Sequence, residues 1–299
     1  MEFYANLHTH STHSDGKWTP RELVRIAYEE GYRAMALTDH DTVTGNAEAA
    51  DECQKLGMEN LFGCEFTVKE PYSFHMTAFE FDADEPKMRA YLEKLSRRES
   101  EETRLVLEME QKRGEIRGIT WEDVLRHNEG VSWLCNDHVF RTLTEMGLAE
   151  NKEYDAWFNE HFARQRGVAK KELEKEGFRF LTAKELIDLI HRAGGIAVFA
   201  HPMRLIEKVQ ALLDAGIDGI EVWHADQKQP EAEMSYRVAI ENGLYISGGS
   251  DHAGLCGGLY GTFPDEKTLK KSEVYIPPFC CGTTKEYFDE IRNRRIERA

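Results

Sequence analysis

Hydrophobic and polar positions alternate along the first eighty residues in the rhythm of strands and helices. Phe3–Leu7 reads as a short apolar strand running into His8-Thr9-His10. Thr19-Pro20-Arg21-Glu22 has the residues of a helix start: a capping threonine, proline in the first turn and glutamate three residues after the cap. Leu23, Val24, Ala27 and Tyr28 then share one helical face, and Gly31 ends the helix. Arg33–Thr38 is apolar on both faces, as a buried parallel strand should be. A second helix to about Leu56 and strands at Leu61–Phe66 and Phe74–Phe81 follow.

From Glu85 to about Phe178 the pattern becomes charged and mostly helical, with Leu105, Val106, Leu107 and Met109 as an apolar face and Trp121, Trp133 and Trp157 as anchors. The charged run Arg97–Arg104 reads as the solvated side of a helix. Alternation returns with a second capping box, Thr182-Ala183-Lys184-Glu185. Strands then end at Ala200-His201, near His224, and at Gly248-Gly249-Ser250-Asp251-His252. These elements predict an α/β fold: a distorted (β/α)7 TIM-like barrel formed by residues 1–84 and 179–299, with residues 85–178 as an inserted helical subdomain over the active site.

Composition narrows the function. The 299 residues carry 38 Lys and Arg against 54 Asp and Glu, a formal charge of −16 that disfavours a long nucleic-acid partner but allows a small phosphorylated substrate. No apolar run is long enough to span a bilayer and no secretory leader is visible, so no membrane partner is expected and the expected compartment is the cytoplasm. The six cysteines, among them the adjacent Cys280 and Cys281, match no disulfide framework. Cys64 should point away from its neighbour Glu65, into the core.

The candidate chemistry gathers at strand ends. His8, His10, Asp15, His40, Glu65, His75, His201, Asp251 and His252 lie at or close to the rim where such barrels carry their active sites. Histidine and carboxylate without thiolate suit Zn, Mn or Fe(II), and the number of ligands suits two or three divalent ions. Ions sharing a carboxylate would lower the pKa of bound water towards roughly 7 and neutralise a phosphoryl group, which points to phosphoester hydrolysis by a metal-bridging hydroxide. Asp251, or a histidine not bound to metal, is the candidate proton source for the leaving group. His13, His127, His161, His191 and His224 read as packing or surface residues, with His13 and His224 nearest the rim.

His-x-His at the first strand, Thr38-Asp39-His40-Asp41 at the second, Glu65 at the third, Ala200-His201-Pro202 at the fifth and Gly249-Ser250-Asp251-His252 at the seventh resemble the polymerase-and-histidinol-phosphatase (PHP) family. The resemblance implies a seven-stranded barrel with a trinuclear centre. It places His8, His10, Glu65 and Asp251 on a first metal, Glu65 with His75 and His201 on a second, and Asp15, His40 and His252 on a third. The last motif departs from the family's common Asp-x-His in having Asp251 and His252 adjacent. Within Asn136–Arg141, His138 and Arg141 match the Arg-Pro-His-x-x-Arg of small PHP phosphoesterases, while the leading Arg and Pro do not. His138, Arg141, Arg166 and Arg204 are therefore candidates for a substrate phosphate that is not being cleaved.

The expected activity is metal-dependent hydrolysis of a small phosphorylated ribose or nucleotide, as a monoester or a cyclic diester. The alternatives are a histidinol-phosphate phosphatase and a non-catalytic metal-binding barrel. A carbon–nitrogen hydrolase of related design is disfavoured, since no lysine is well placed for the carboxylated ligand such sites use.

Overall fold

The computed structural model describes residues 3–174, 177–251 and 281–294. Seven strands stand side by side in chain order: β1 (Ala5–Asn6), β2 (Ala34–Leu37), β3 (Glu59–Val68), β4 (Phe74–Phe79), β5 (Ile196–Phe199), β6 (Gly219–His224) and β7 (Tyr245–Gly249). The sheet closes on itself, because Leu7 N–H donates to the Gly248 carbonyl at 3.1 Å and Asp251 N–H to that of His8 at 2.8 Å. The result is the seven-stranded barrel that the alternation predicts.

One strand runs the other way. β4 pairs antiparallel with both β3 and β5, whereas the other neighbours are parallel. Only residues 69–73 separate β3 from β4, too few for a crossover helix, so the chain must turn back as a hairpin. His75 therefore reaches the ligand-bearing rim from the start of its strand rather than from the end.

The helices are α1 (Pro20–Glu29), α2 (Asn46–Leu56), α3 (Pro86–Arg113), α4 (Trp121–His127), α5 (Asn136–Glu145), α6 (Tyr154–Trp157), α7 (Arg164–Glu174), α8 (Ala183–Arg192), α9 (Gln210–Ala215), α10 (Gln229–Asn242) and α11 (Lys285–Asn293). Both predicted capping boxes form, at Thr19/Glu22 and Thr182/Glu185. Side-chain alternation sorts β2 between two cores: Met35 and Leu37 pack with α1 and α2, while Ala34 and Ala36 join Phe288 and Ile291 of α11.

Helices α3 to α7 all lie between β4 and β5 in the chain. Val106, Leu107, Ile119, Val139, Leu143 and Phe162 form a core of their own there, flanked by Trp121 and Trp157. α3 belongs to both parts: Met88, Tyr91, Leu92 and Leu95 in its first half pack in the core beneath β3 and β4. The charged run on α3 departs from its expected solvated role, since Glu99 and Glu102 are buried. Their partner Arg166 comes from α7, so this part of the run faces another helix, while Arg97 stays exposed.

Candidate metal centre

Glu65 is the hub of the rim. It sits on β3 with no solvent exposure, on the opposite face from Cys64, which packs in the core as expected. Its Oε1 lies 3.2 Å from His8 Nε2, 3.2 Å from His75 Nδ1 and 3.0 Å from His201 Nε2. Its Oε2 lies 3.2 Å from His10 Nε2 and 3.1 Å from His40 Nδ1. One buried carboxylate is thus ringed by imidazoles from β4 and from the segments after β1, β2 and β5. Asp251 reaches the same cluster, its Oδ1 at 3.0 Å from His10 Nε2. Asp15 approaches from the other side, at 3.7 Å from His10 and 3.6 Å from His40.

The loops that carry these residues are fixed in turn. Asp39 accepts from Ser11 N–H at 2.6 Å, Ser11 Oγ at 2.7 Å and Ser14 Oγ at 2.7 Å, which holds the turn bearing Asp15. Asp41 accepts from Thr67 N–H at 2.8 Å. Gly249 lies so close to His8 that an added Cβ would fall 2.4 Å from the His8 nitrogen. Asp41, His201 and Asp251 all hold left-handed backbone, with φ of 53°, 29° and 52°. Strain of that kind persists where surrounding structure enforces it, and here it aims three rim side chains.

Glu221 escaped the sequence reading, which gives His224, near the rim, as a packing or surface residue. Glu221, buried on β6, has both carboxylate oxygens 3.1 Å from His8 Nδ1 and also accepts from His201 N–H at 2.6 Å. His8 is thereby held with Nδ1 towards Glu221 and Nε2 towards Glu65 and Asp251. His224, at the end of β6, is buried with Nε2 3.1 Å from Asp251 Oδ2, and its Nδ1 accepts from Asp226 N–H. A glutamate flanked by Ile220 and Val222 in a buried strand was the available signal, because a lone charge seldom enters such a strand without a partner.

The charges within the cluster are strongly shifted. Burial alone would raise Glu65, but the neighbouring His8, His75 and His40 outweigh it and hold the carboxyl well below its usual range. Burial works against a charge on His8, yet Glu65, Glu221 and Asp251 raise it well above the ordinary value. Burial wins at His40, which falls to about 3. Four groupings bring ligand atoms within 4.8 Å of one another: His8/His10/Asp251, His8/Glu65/His201, His10/His40/Glu65 and His8/Glu221/His224. The buried atoms His8 Nε2 and Glu65 Oε2 make no hydrogen bond. Imidazole and carboxylate donors converging in this way, with buried atoms left over, fit divalent cations.

A cleft of about 510 Å³ opens beside His40, His75 and Asp15. Its lining also includes the cations Lys69, Arg98, Arg166 and Lys170, the acids Asp41, Glu99 and Asp137, and the aromatic side chains Trp133 and Phe180. The remaining sequence candidates lie as follows. His138 is fully buried on α5; its Nδ1 accepts from Cys135 N–H at 3.0 Å and its Nε2 faces the Thr12 carbonyl at 3.1 Å. Burial and the nearby Arg141 lower it to about 3, so it is neutral. Arg141 donates to the carbonyls of Thr12 and Gly16 and to Asn128. Both residues brace the turn after β1. Arg204 is exposed after β5 and does not line the cleft. His252 and Cys280 fall outside the described residues, while Cys281 is buried. Among the described residues His13, His127, His161 and His191 pair with Thr44, Glu145, Glu110 and Asp218 away from the cluster.

A closed, mostly parallel barrel with histidine and carboxylate ligands gathered at one rim defines a metal-dependent hydrolase. Residues 6–193 match the model of the PHP domain, and the chain belongs to that family as a metal-dependent phosphoesterase. It is 33% identical over 266 residues to a 5′-3′ exoribonuclease of Salmonella typhimurium, covering 84% of this chain and 85% of the relative. It is 30% identical to a 3′,5′-nucleoside bisphosphate phosphatase of Chromobacterium violaceum, over 82% of this chain and 86% of that one. A crystal structure of a protein from Bifidobacterium adolescentis assigned as a metal-dependent phosphoesterase by inference superposes with a TM-score of 0.69 at 26% identity, over 98% of this chain and 96% of the other. Among the described residues no helix is long and apolar enough to cross a membrane.

Proposed function

We propose that the protein hydrolyses a phosphate ester, as a monoester or a cyclic diester, on a ribonucleotide that carries a second phosphate. The observation that carries this reading is the cleft itself, whose lining joins His40, His75 and Asp15 to four lysine and arginine side chains, with Asp41, Glu99 and Asp137 among them. A substrate with anionic groups at both ends suits such a space, and its volume lies in the range of small-molecule sites. Histidinol phosphate offers one phosphate and a cationic amine, a poorer match to those cations. Two relatives act on substrates of the favoured kind by their names, one a nucleoside bisphosphate and one RNA. The overall acidity of the chain therefore does not decide between a free nucleotide and the end of a short RNA.

In this reading His8, His10, Glu65 and Asp251 would hold one divalent ion, Glu65, His75 and His201 a second, and Asp15, His40 and His252 a third; Mn, Fe and Zn all suit the donors. Divalent ions held there would make a water molecule more acidic and would offset charge on the phosphoryl oxygens. Glu65 is the shared carboxylate of the set, and Asp251 is assigned the leaving-group proton. Glu221 fixes the His8 ring and the His201 backbone in register. Thr67 and Asp41 together keep the β3 end in place beside the cleft.

The deciding measurement is phosphate release by protein reconstituted separately with Mn, Fe and Zn. The panel holds a nucleoside 3′,5′-bisphosphate, a ribose cyclic phosphate, a 5′-phosphorylated oligoribonucleotide, histidinol phosphate and an aryl phosphate. Preference for the nucleotide or ribose members supports the proposal. Turnover of histidinol phosphate alone, or of nothing while metal is bound, would overturn it.

A further inference from the structure

The four cations on the cleft wall are not equivalent. Arg166 on α7 binds Glu102 at 2.6 Å and Glu99 at 2.7 Å. Arg98 on α3 binds the same two glutamates, at 2.8 Å and 3.4 Å. Two guanidinium groups facing two carboxylates leave no net charge for a ligand. Lys69, just past β3, only donates to Ser73 Oγ at 3.2 Å, and neither it nor Lys170 meets a carboxylate within ion-pair distance among the described residues. Asp15, Asp41 and Asp137 line the cleft as well, and the cationic charge there that no ion pair takes up is carried by the two lysines.

Their placement is organised. Arg166 and Lys170 are four residues apart on α7 and share one face, so the two glutamates that seat Arg166 also set the direction of Lys170. Lys69 comes from the barrel and lies 5.7 Å from the centre of the Phe180 ring, with Arg98 at 5.0 Å from the same ring. Lys69 is lowered from its ordinary value first by burial and then by repulsion from Lys170, against the pull of Asp41. Two like charges that repel across one space are relieved by an anion placed between them.

We infer that Lys69 and Lys170 form the subsite for the substrate phosphate that is not cleaved, one lysine from the barrel and one from the helical insertion. Arg98 and Arg166 are positioning residues that act through Glu99 and Glu102. The second phosphate then ties α7 to the barrel while the first lies at the metal centre. This assignment rests on the phosphoesterase reading for the location of the reacting phosphate, and it departs from the arginine candidates that sequence alone suggests.

The test compares ligands that differ only in the second phosphate. With Mn-loaded enzyme, kcat/KM for a nucleoside 3′,5′-bisphosphate is divided by that for the 3′-monophosphate. In Lys69→Met and in Lys170→Met this ratio should fall about 10- to 100-fold, the worth of one charge-assisted hydrogen bond, and Lys69→Arg should recover most of it. A parallel calorimetric arm uses the full chain in chelator with adenosine 5′-monophosphate and adenosine, where the wild type's preference for the phosphorylated ligand should shrink by a similar factor. An unchanged ratio in both variants, or equal losses on both ligands, overturns the inference. If the loaded enzyme turns over no phosphoester, the functional reading fails, and the calorimetric arm still decides the subsite.

Discussion

The barrel rim and the helical insertion both bury several charged groups, yet they balance them in opposite ways. In the insertion, Arg98 and Arg166 meet Glu99 and Glu102 one for one, and the cluster is electrically complete without a ligand. At the rim, the ion-pair partners of Glu65, Glu221, Asp251 and Asp15 among the described residues are histidines, whose charge depends on a proton gained or lost. The shifts differ in kind as well. His8 is driven up and His40 down to about 3, though both touch the same Glu65 carboxylate. Buried charge by itself therefore does not mark a site; charge that only an added cation would satisfy does.

The comparison is broken most severely at Glu65. Glu65→Gln removes the negative charge at the focus of the imidazoles and puts an amide where a shared ligand is needed. Turnover should fall more than about 100-fold and bound metal per chain should drop, read by phosphate release and elemental analysis on one sample. Near-normal turnover at full metal loading would show that Glu65 is not the shared ligand. Glu221→Gln should be milder. The amide still accepts from His8 on one side but presents its own N–H to the His201 backbone N–H, which Glu221 accepts at 2.6 Å. Metal affinity should weaken by about 10- to 100-fold in a chelator competition, the usual cost of losing a group that orients a ligand.

These two residues also show how far the sequence could be read. Glu65 and the rim histidines were legible because each sits in a local run ending a strand, and strand ends of a parallel barrel share one rim. His75 was legible as a ligand type but not in its direction, which depends on the reversal of β4. Glu221 was missed although its apolar neighbours marked it, because the local run does not say which partner a buried charge meets, and His224 was placed near the rim but read as a packing residue. The Arg97–Arg104 run was misread for a related reason. Its spacing suits a solvated helix face, and only the packing of α7 against α3, more than sixty residues away in the chain, shows that Glu99 and Glu102 are covered. Local pattern reports element and face; it does not report which distant element covers that face.

Arg166→Met sharpens the comparison from the other side. It should leave Glu99 and Glu102 short of a partner and destabilise the fold by about 1–3 kcal/mol. That lies below the figure for a fully buried pair, because Arg98 stays in place and the Arg166 side chain is 35% exposed. A urea midpoint measures the loss, and adding Glu99→Gln should recover part of it by restoring the balance of charge. Metal content should change far less than in Glu221→Gln. An equal loss of metal in the two variants would mean that the insertion and the rim are one electrostatic unit.

The smallest effect is expected at Arg141, and its value lies in its shape. The Arg141 guanidinium is occupied by the Thr12 and Gly16 carbonyls at 3.5 Å and 3.3 Å and by Asn128 at 3.4 Å. Bonds of that length are weak, so Arg141→Ala should cost about 1 kcal/mol of stability. Because those carbonyls flank the turn that carries Asp15, any loss of activity should fall on all phosphate esters alike. The ratio of kcat/KM between a nucleoside bisphosphate and a plain aryl phosphate should therefore stay within about twofold of wild type, less than one weak hydrogen bond would change it. A selective loss on the bisphosphate would instead put the Arg141 guanidinium on the second phosphate, in competition with Lys69 and Lys170 for that role.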